Sequence, residues 1–146
     1  MAEEVQYQQI IYIKANKEQV WKALTQAEFI NKYYMCPVLS MGSAKGDKIS
    51  FGFKDQIFIE GEILKLQVNK TFSHSFKFIE AHPEAQDDSS SIVTYEIIEE
   101  HGLLRLVLTH SGFKERNATY ANVTGGWPYI LSNLKTYLET GKTLKE

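Results

Sequence analysis

The C-terminal stretch limits the fold more than any other part of the chain. From about Glu115 to Thr140, Tyr120, Val123, Trp127, Ile130, Leu134 and Leu138 recur at steps of three or four, and Leu131 and Tyr137 widen the stripe. That period predicts a helix with one apolar face. Pro128, preceded by Gly125-Gly126, either occupies the first turn of a shorter helix or kinks a longer one. The stripe keeps its phase across the proline, which favours one long kinked helix, with Gly141 as its stop. About 24 helical residues span about 36 Å at about 1.5 Å each. Such a rod cannot bury its own stripe and needs a broad apolar surface to lie on.

The rest of the chain supplies that surface. Gln6 to Lys14 alternates as a strand, with Ile11 and Ile13 on one face and Ile10 and Tyr12 on the other. Asn16 followed by Gln19 has the spacing of a capping box and opens a helix carrying Val20, Trp21 and Leu24. Thr25 and Glu28 repeat the spacing for a second short helix with Phe29, Ile30 and Tyr33, closed by Met35-Cys36-Pro37. From Asp47 the period becomes two: Ile49, Phe51 and Phe53 alternate with polar or small residues. Gln56 to Leu66 continues as a strand whose apolar parity changes near Gly61, where a β-bulge is expected. Thr71 to Ile79 places Phe72, His74, Phe76 and Phe78 on one face. After a polar stretch over residues 80–90, Ile92 to Glu99 and Leu103 to His110 form a hairpin. Its inner rows are Val93, Tyr95 and Ile97, then Leu104, Leu106, Leu108 and His110. The expected order is β-α-α-β-β-β-β-β-α over a single domain spanning 1–146. The fold class is α+β: a curved six-stranded antiparallel sheet wrapped around the long helix. A bent sheet cannot close everywhere on a straight rod, so a cavity is expected between them.

Composition narrows the function. The 146 residues carry a net charge of −2, with 16 basic residues scattered among 18 acids, which argues against a nucleic-acid binder or a membrane-surface protein. No run approaches the roughly 20 apolar residues of a membrane span, and the N-terminus has no secretion-signal pattern. The lone cysteine, Cys36, forms no internal disulfide and fits a reducing, cytoplasmic setting. No ligand spacing for a metal appears, and no cofactor motif or nucleophile elbow. Glu60 and Glu62 read as a solvated strand face.

Several motifs in order resemble a known family. They are Val20-Trp21-Lys22-Ala23-Leu24-Thr25, Gly46-Asp47-Lys48-Ile49-Ser50-Phe51, Gly61-Glu62-Ile63-Leu64, Leu108-Thr109-His110-Ser111-Gly112-Phe113, and Gly126-Trp127-Pro128 with Leu131, Leu134, Lys135, Leu138 and Glu139. Together they are similar to the small domain related to the activator of the ninety-kilodalton heat-shock protein's ATPase. That family sits within the helix-grip superfamily of the birch pollen allergen and the START lipid-transfer domains. The similarity runs from about Tyr7 to Gly141. Phe76 departs from it, standing where many members carry tryptophan. The resemblance implies the helix-grip fold and leaves three functions open, because fold alone does not choose among them. One is binding of a small hydrophobic molecule of lipid, flavonoid or polyketide type. The second is docking to a chaperone, and the third is a cyclase or dehydratase using a pocket histidine.

The leading expectation is a non-catalytic binding protein. Its helix wall is Tyr120, Val123, Trp127 and Ile130; its sheet wall is Phe51, Phe76, Phe78, Tyr95 and Leu106. Tyr33 and Met35 border the entrance. His74 and His110, inward on apolar strands, are either polar handles for the ligand or core histidines bonded to the protein itself. The partners expected are a small hydrophobic molecule and, as the alternative, a chaperone, with the chain a monomer or weak dimer.

Overall fold

The computed structural model describes residues 5–80 and 82–145. Its elements are β1 (Val5–Ile13), α1 (Lys17–Thr25), α2 (Ala27–Tyr33), β2 (Val38–Met41), β3 (Lys48–Phe53), β4 (Gln56–Gln67), β5 (Thr71–Phe78), a 3-10 turn (Pro83–Ala85), β6 (Ser91–Glu100), β7 (Leu103–Phe113) and α3 (Ala118–Thr140). The strands form one antiparallel sheet in the order β1-β7-β6-β5-β4-β3-β2. α1 and α2 cross from one edge strand to the other.

The sheet has seven strands where the sequence predicts six. The addition is β2, four residues pairing with β3 through Val38–Phe51 and Met41–Ile49. Val38 donates its N–H to the Asn31 side chain, a contact that no strand period foreshadows.

Local sequence explains most of the elements. The capping box at Asn16 forms in both directions, with Gln19 N–H on Asn16 Oδ1 at 2.8 Å and Asn16 N–H on Gln19 Oε1 at 3.0 Å. The second capping signal is not realised. Thr25 Oγ1 donates back to the Trp21 carbonyl at 2.8 Å, and α2 starts from Gln26 with no side-chain cap. Because α1 keeps Thr25, its hydroxyl satisfies a carbonyl of the helix it ends.

The bulges also sit elsewhere than expected. Gly61 lies in regular register opposite Ile49, and a methyl group there would overlap the Ser75 carbonyl. The parity change falls between Ile63 and Lys65, so Ile63 pairs with His74 and Leu66 with Phe72. A second shift between Phe51 and Gly52 pairs Phe51 with Ile59 and Gly52 with Ile57. Gly52 has φ 153°, and a Cβ there would run into the Gln56 carbonyl.

α3 is continuous through Pro128, as the unbroken stripe predicts, and Gly141 ends it in the left-handed region at φ 81°. Asn117 caps its start, accepting from Tyr120 N–H at 2.9 Å. The polar stretch before β6 contributes here as well. Asp88 Oδ2 accepts from both Thr119 N–H and Thr119 Oγ1, at 2.9 and 2.8 Å. A carboxylate at that end also suits the helix dipole. Pro83, Glu84, Gln86, Asp87, Ser89 and Ser90 are exposed, in keeping with a polar stretch, while Ala85 is buried and ties the segment to the fold. At the other end, Lys135 Nζ donates to the Tyr12 carbonyl at 2.6 Å and Lys14 N–H to Glu139 at 2.8 Å, tying α3 to β1. The core lies between, with Trp127, Leu131 and Leu134 of α3 on Ile13, Leu104, Leu106 and Leu108 of the sheet, all nearly inaccessible. The outer face of the sheet carries the polar rows. There Lys48 and Glu60 pair at 3.0 Å and Glu62 is exposed, in keeping with a solvated strand face.

Candidate functional site

α3 and the sheet part along one side and leave a cleft of about 810 Å³. Its sheet wall is Phe58 and Ile59 of β4 with Phe76 and Phe78 of β5; its helix wall is Val123, Gly125, Gly126, Trp127 and Ile130. Tyr34, Met35 and Cys36, following α2, close one end. Polar groups gather elsewhere, on Gln56, Glu80, His82 and Asn122. Met35 is 64% exposed and stands at the mouth, as expected.

Each wall residue is placed for a local reason. Phe76 and Phe78 follow the two-residue period of β5 and touch edge to face, with centroids 5.0 Å apart. Phe58 adjoins Ile59 in sequence, and alternation alone would turn it away from Ile59. The bulge between Phe51 and Gly52 leaves Phe58 without a partner on β3 and lets both line the cleft. Tyr33 and Tyr34 divide at the end of α2. Tyr33, the last helical residue, is buried and donates its hydroxyl to the Ala23 carbonyl at 2.7 Å. Tyr34 is already extended, at φ −78° and ψ 164°, and stacks on Phe51 at 4.7 Å. Tyr34 therefore lines the cleft, and Tyr33 does not border its entrance.

The twelve candidate residues separate into three groups. Phe76, Phe78, Val123, Trp127 and Ile130 line the cleft. Tyr33, Phe51, His74 and Tyr95 surround a separate internal void of about 10 Å³, room for about one water molecule and no organic guest. Leu106, His110 and Tyr120 line neither. Leu106 and His110 are fully buried, while Tyr120 packs edge-on against Phe113 at 5.3 Å with Arg116 over its ring at 5.8 Å.

Both histidines are bonded within the protein. Trp127 Nε1–H donates to His110 Nδ1 at 3.0 Å, so that nitrogen carries the lone pair. Nε2 then holds the proton and donates to Ser91 Oγ at 2.7 Å, and Ser91 passes its own hydrogen to the Phe76 carbonyl at 3.3 Å. The relay crosses from α3 to β7, β6 and β5 and fixes the Trp127 ring in the cleft wall. Burial, with a smaller contribution from His74, pushes the His110 pKa down to about 3. His74 Nδ1 bonds the Ser75 carbonyl at 2.8 Å, and burial lowers its pKa to about 4 despite that bond. Both rings are therefore neutral near neutral pH. Burial also raises the Cys36 thiol to about 11, which leaves it a poor nucleophile.

Sequence reasoning missed Tyr34, Phe58, Gln56, Glu80, His82 and Asn122. Gly52, interrupting an alternating strand, is the one signal that pointed toward Phe58. A second groove, of about 820 Å³, lies between α1 and β4, bordered by Trp21, Leu66, Phe72, Lys45 and Lys65. Among the described residues, no group of three or more His, Cys, Asp or Glu is placed to hold a metal ion, and no helix is long and apolar enough to cross a membrane.

A curved antiparallel sheet, a helical pair joining its edges and a long C-terminal helix across its inner face define a helix-grip domain. The chain belongs to the family described as activator of Hsp90 ATPase homolog 1-like protein, whose model matches residues 14–139. Among solved structures, the Aha1 dimer from Colwellia psychrerythraea is 24% identical at a TM-score of 0.76, covering 94% of this chain and 98% of that one. An HSP90 activator from Plasmodium falciparum is 19% identical at 0.74, covering 91% of this chain and 95% of that one. DynU16, from the dynemicin biosynthetic locus, is 19% identical at 0.76, covering 94% of this chain and 48% of that one. At these identities the similarities establish the fold. No curated protein matches the chain in sequence.

Proposed function

We propose that the chain is a non-catalytic binding protein whose cleft takes a small, largely apolar, ring-containing molecule. The observation that supports it is the open cleft of about 810 Å³ walled by Tyr34, Phe58, Phe76, Phe78 and Trp127. Small-molecule sites commonly have that size and an apolar wall with a few polar groups. A guest hiding about 300 Å² of apolar surface gains about 7 kcal/mol gross at about 25 cal/mol per Å². Association costs remove much of it, which leaves micromolar affinity with loose selectivity. His74 and His110 do not reach the cleft, and both are bonded and neutral. The handles for a guest are therefore Gln56, Glu80 and His82, and support for a general-base enzyme at those two histidines falls away.

Isothermal titration with 2-naphthol, a flavonoid and a long-chain alcohol tests this reading on the wild type and on Gly126→Phe. At Gly126, on the helix wall of the cleft, an added Cβ meets only the flexible Met35 sulfur, at 3.6 Å, so a side chain can start there without a backbone clash. Wild-type binding in the micromolar range, lost in a variant of unchanged thermal midpoint, is the expected result. No binding tighter than about 100 μM by any of the three would overturn the reading.

Family membership and similarity to an HSP90 activator favour a second reading, docking to a chaperone. Stimulation of the ATPase of an Hsp90 from the same cell by the wild-type chain would establish it, and no change at saturating protein would remove it.

A further inference from the structure

We infer that the cleft selects its guest by charge, accepting neutral or protonated-amine amphiphiles and rejecting carboxylates; this rests on reading the cleft as the ligand site. A ligand's polar end would meet only a few groups of the cleft wall. Among the described residues, no lysine or arginine lines the cleft. His82, the one described lining residue able to carry positive charge, turns its Nδ1 to Glu84 at 3.3 Å and sets its ring edge-on to Phe78 at 4.4 Å. Asn122 uses its amide nitrogen on Glu84 at 3.3 Å and on the Ala118 carbonyl at 2.8 Å. The Trp127 N–H is taken by His110.

Glu80 has the opposite character. Its side chain is exposed, borders the cleft and forms no ion pair among the described residues. A carboxylate guest would bring a second negative charge beside Glu80 and lose water with no cation to receive it, a costly exchange. A hydroxyl can bond to Glu80 or Gln56, and an ammonium can pair with Glu80 directly. The second groove has the reverse character, with Lys45 and Lys65 on its border. The charge preference is therefore a property of this cleft and not of the protein surface in general.

Three probes sharing one ring system separate the possibilities near neutral pH: 2-naphthol, 2-naphthylmethylamine and 2-naphthoate. Titrations into the wild type are expected to show the amine binding tighter than the alcohol, through its pairing with Glu80, and the carboxylate weaker than the alcohol by about tenfold or more. Glu80→Gln is expected to weaken the amine more than the alcohol, so that the amine's advantage disappears, and to narrow the gap between alcohol and carboxylate. Added salt is expected to shrink that advantage in the wild type. If 2-naphthol binds and 2-naphthoate binds within threefold of it or tighter, the charge inference is overturned and the cleft remains a ligand site. If Glu80→Gln leaves the amine's advantage intact, Glu80 is not the selecting group and the inference is likewise overturned. If none of the three binds, the ligand-site reading itself is overturned, and the inference with it.

Discussion

His110 accepts from Trp127 and donates to Ser91 inside the core, so protonating it would break the bond from Trp127 and bury a charge, and this makes acid a specific stress on the fold. Burial holds His74 at about 4 and His110 at about 3, while unfolding returns each to the ordinary value of 6.5. Between those limits the unfolded chain binds protons that the folded chain does not, so stability falls as pH drops below about 6.5. At about 1.4 kcal/mol per pH unit per group, the two histidines together remove about 3–4 kcal/mol between pH 7 and pH 5. Glu84 and Glu139 are held below the ordinary carboxylate value by their hydrogen bonds, so their contributions fade only at lower pH. Urea unfolding at pH 7, 6 and 5 measures the slope directly. A stability that stays level across that range would mean that these rings are not buried neutral. Alternation along β5 and β7 placed both histidines inward, and it did so correctly. It had no means to choose between ligand handle and internal bond, because Trp127 and Ser91, which settle the matter for His110, lie 17 and 19 residues away in sequence.

At the scale of elements, the β-bulges decide which residues see the cleft, and they were the least legible part of the chain. The parity change in β4 was visible in Ile57, Ile59, Leu64 and Leu66, yet its position was not, since Gly61 is the obvious residue to bend at. Gly61 is there for another reason: the Ser75 carbonyl on β5 occupies the space a side chain would need. Gly61→Ala is therefore expected to destabilise the fold by about 1–3 kcal/mol through overpacking, although alanine suits a strand at least as well as glycine. Thermal unfolding of the variant checks this, and an unchanged midpoint would contradict the close approach of the Ser75 carbonyl to Gly61. Long amphipathic periods behaved differently. α3 was legible through Pro128 because six apolar residues kept phase on both sides of it. Four-residue β2 was not legible, since its place depends on Asn31 and on pairing with β3. The Tyr33–Tyr34 division was hidden for a related reason: one residue's difference in where α2 ends sends one ring to the core and the other to the cleft.

For the whole molecule, the family and the sheet-and-helix plan could be read from ordered motifs, and so could a gap between the two layers. Which end of the layers stays apart could not. That is set by ties far apart in sequence: Lys135 and Glu139 hold the C-terminal half of α3 on β1, and Asp88 anchors its start. Between them, Gly125 and Gly126 keep the helix face low opposite Phe76 and Phe78, and space remains. Function follows if that space admits a guest. An amide and indole nitrogen–hydrogen correlation spectrum, recorded as 2-naphthol is added, tests it most directly. Shifts are expected at Phe58, Phe76, Phe78, residues 123–127, Ile130 and the Trp127 indole N–H, with Trp21 and Leu66 in the second groove unmoved. Shifts confined to that second groove, or none at saturating ligand, would contradict a binding site between α3 and the sheet.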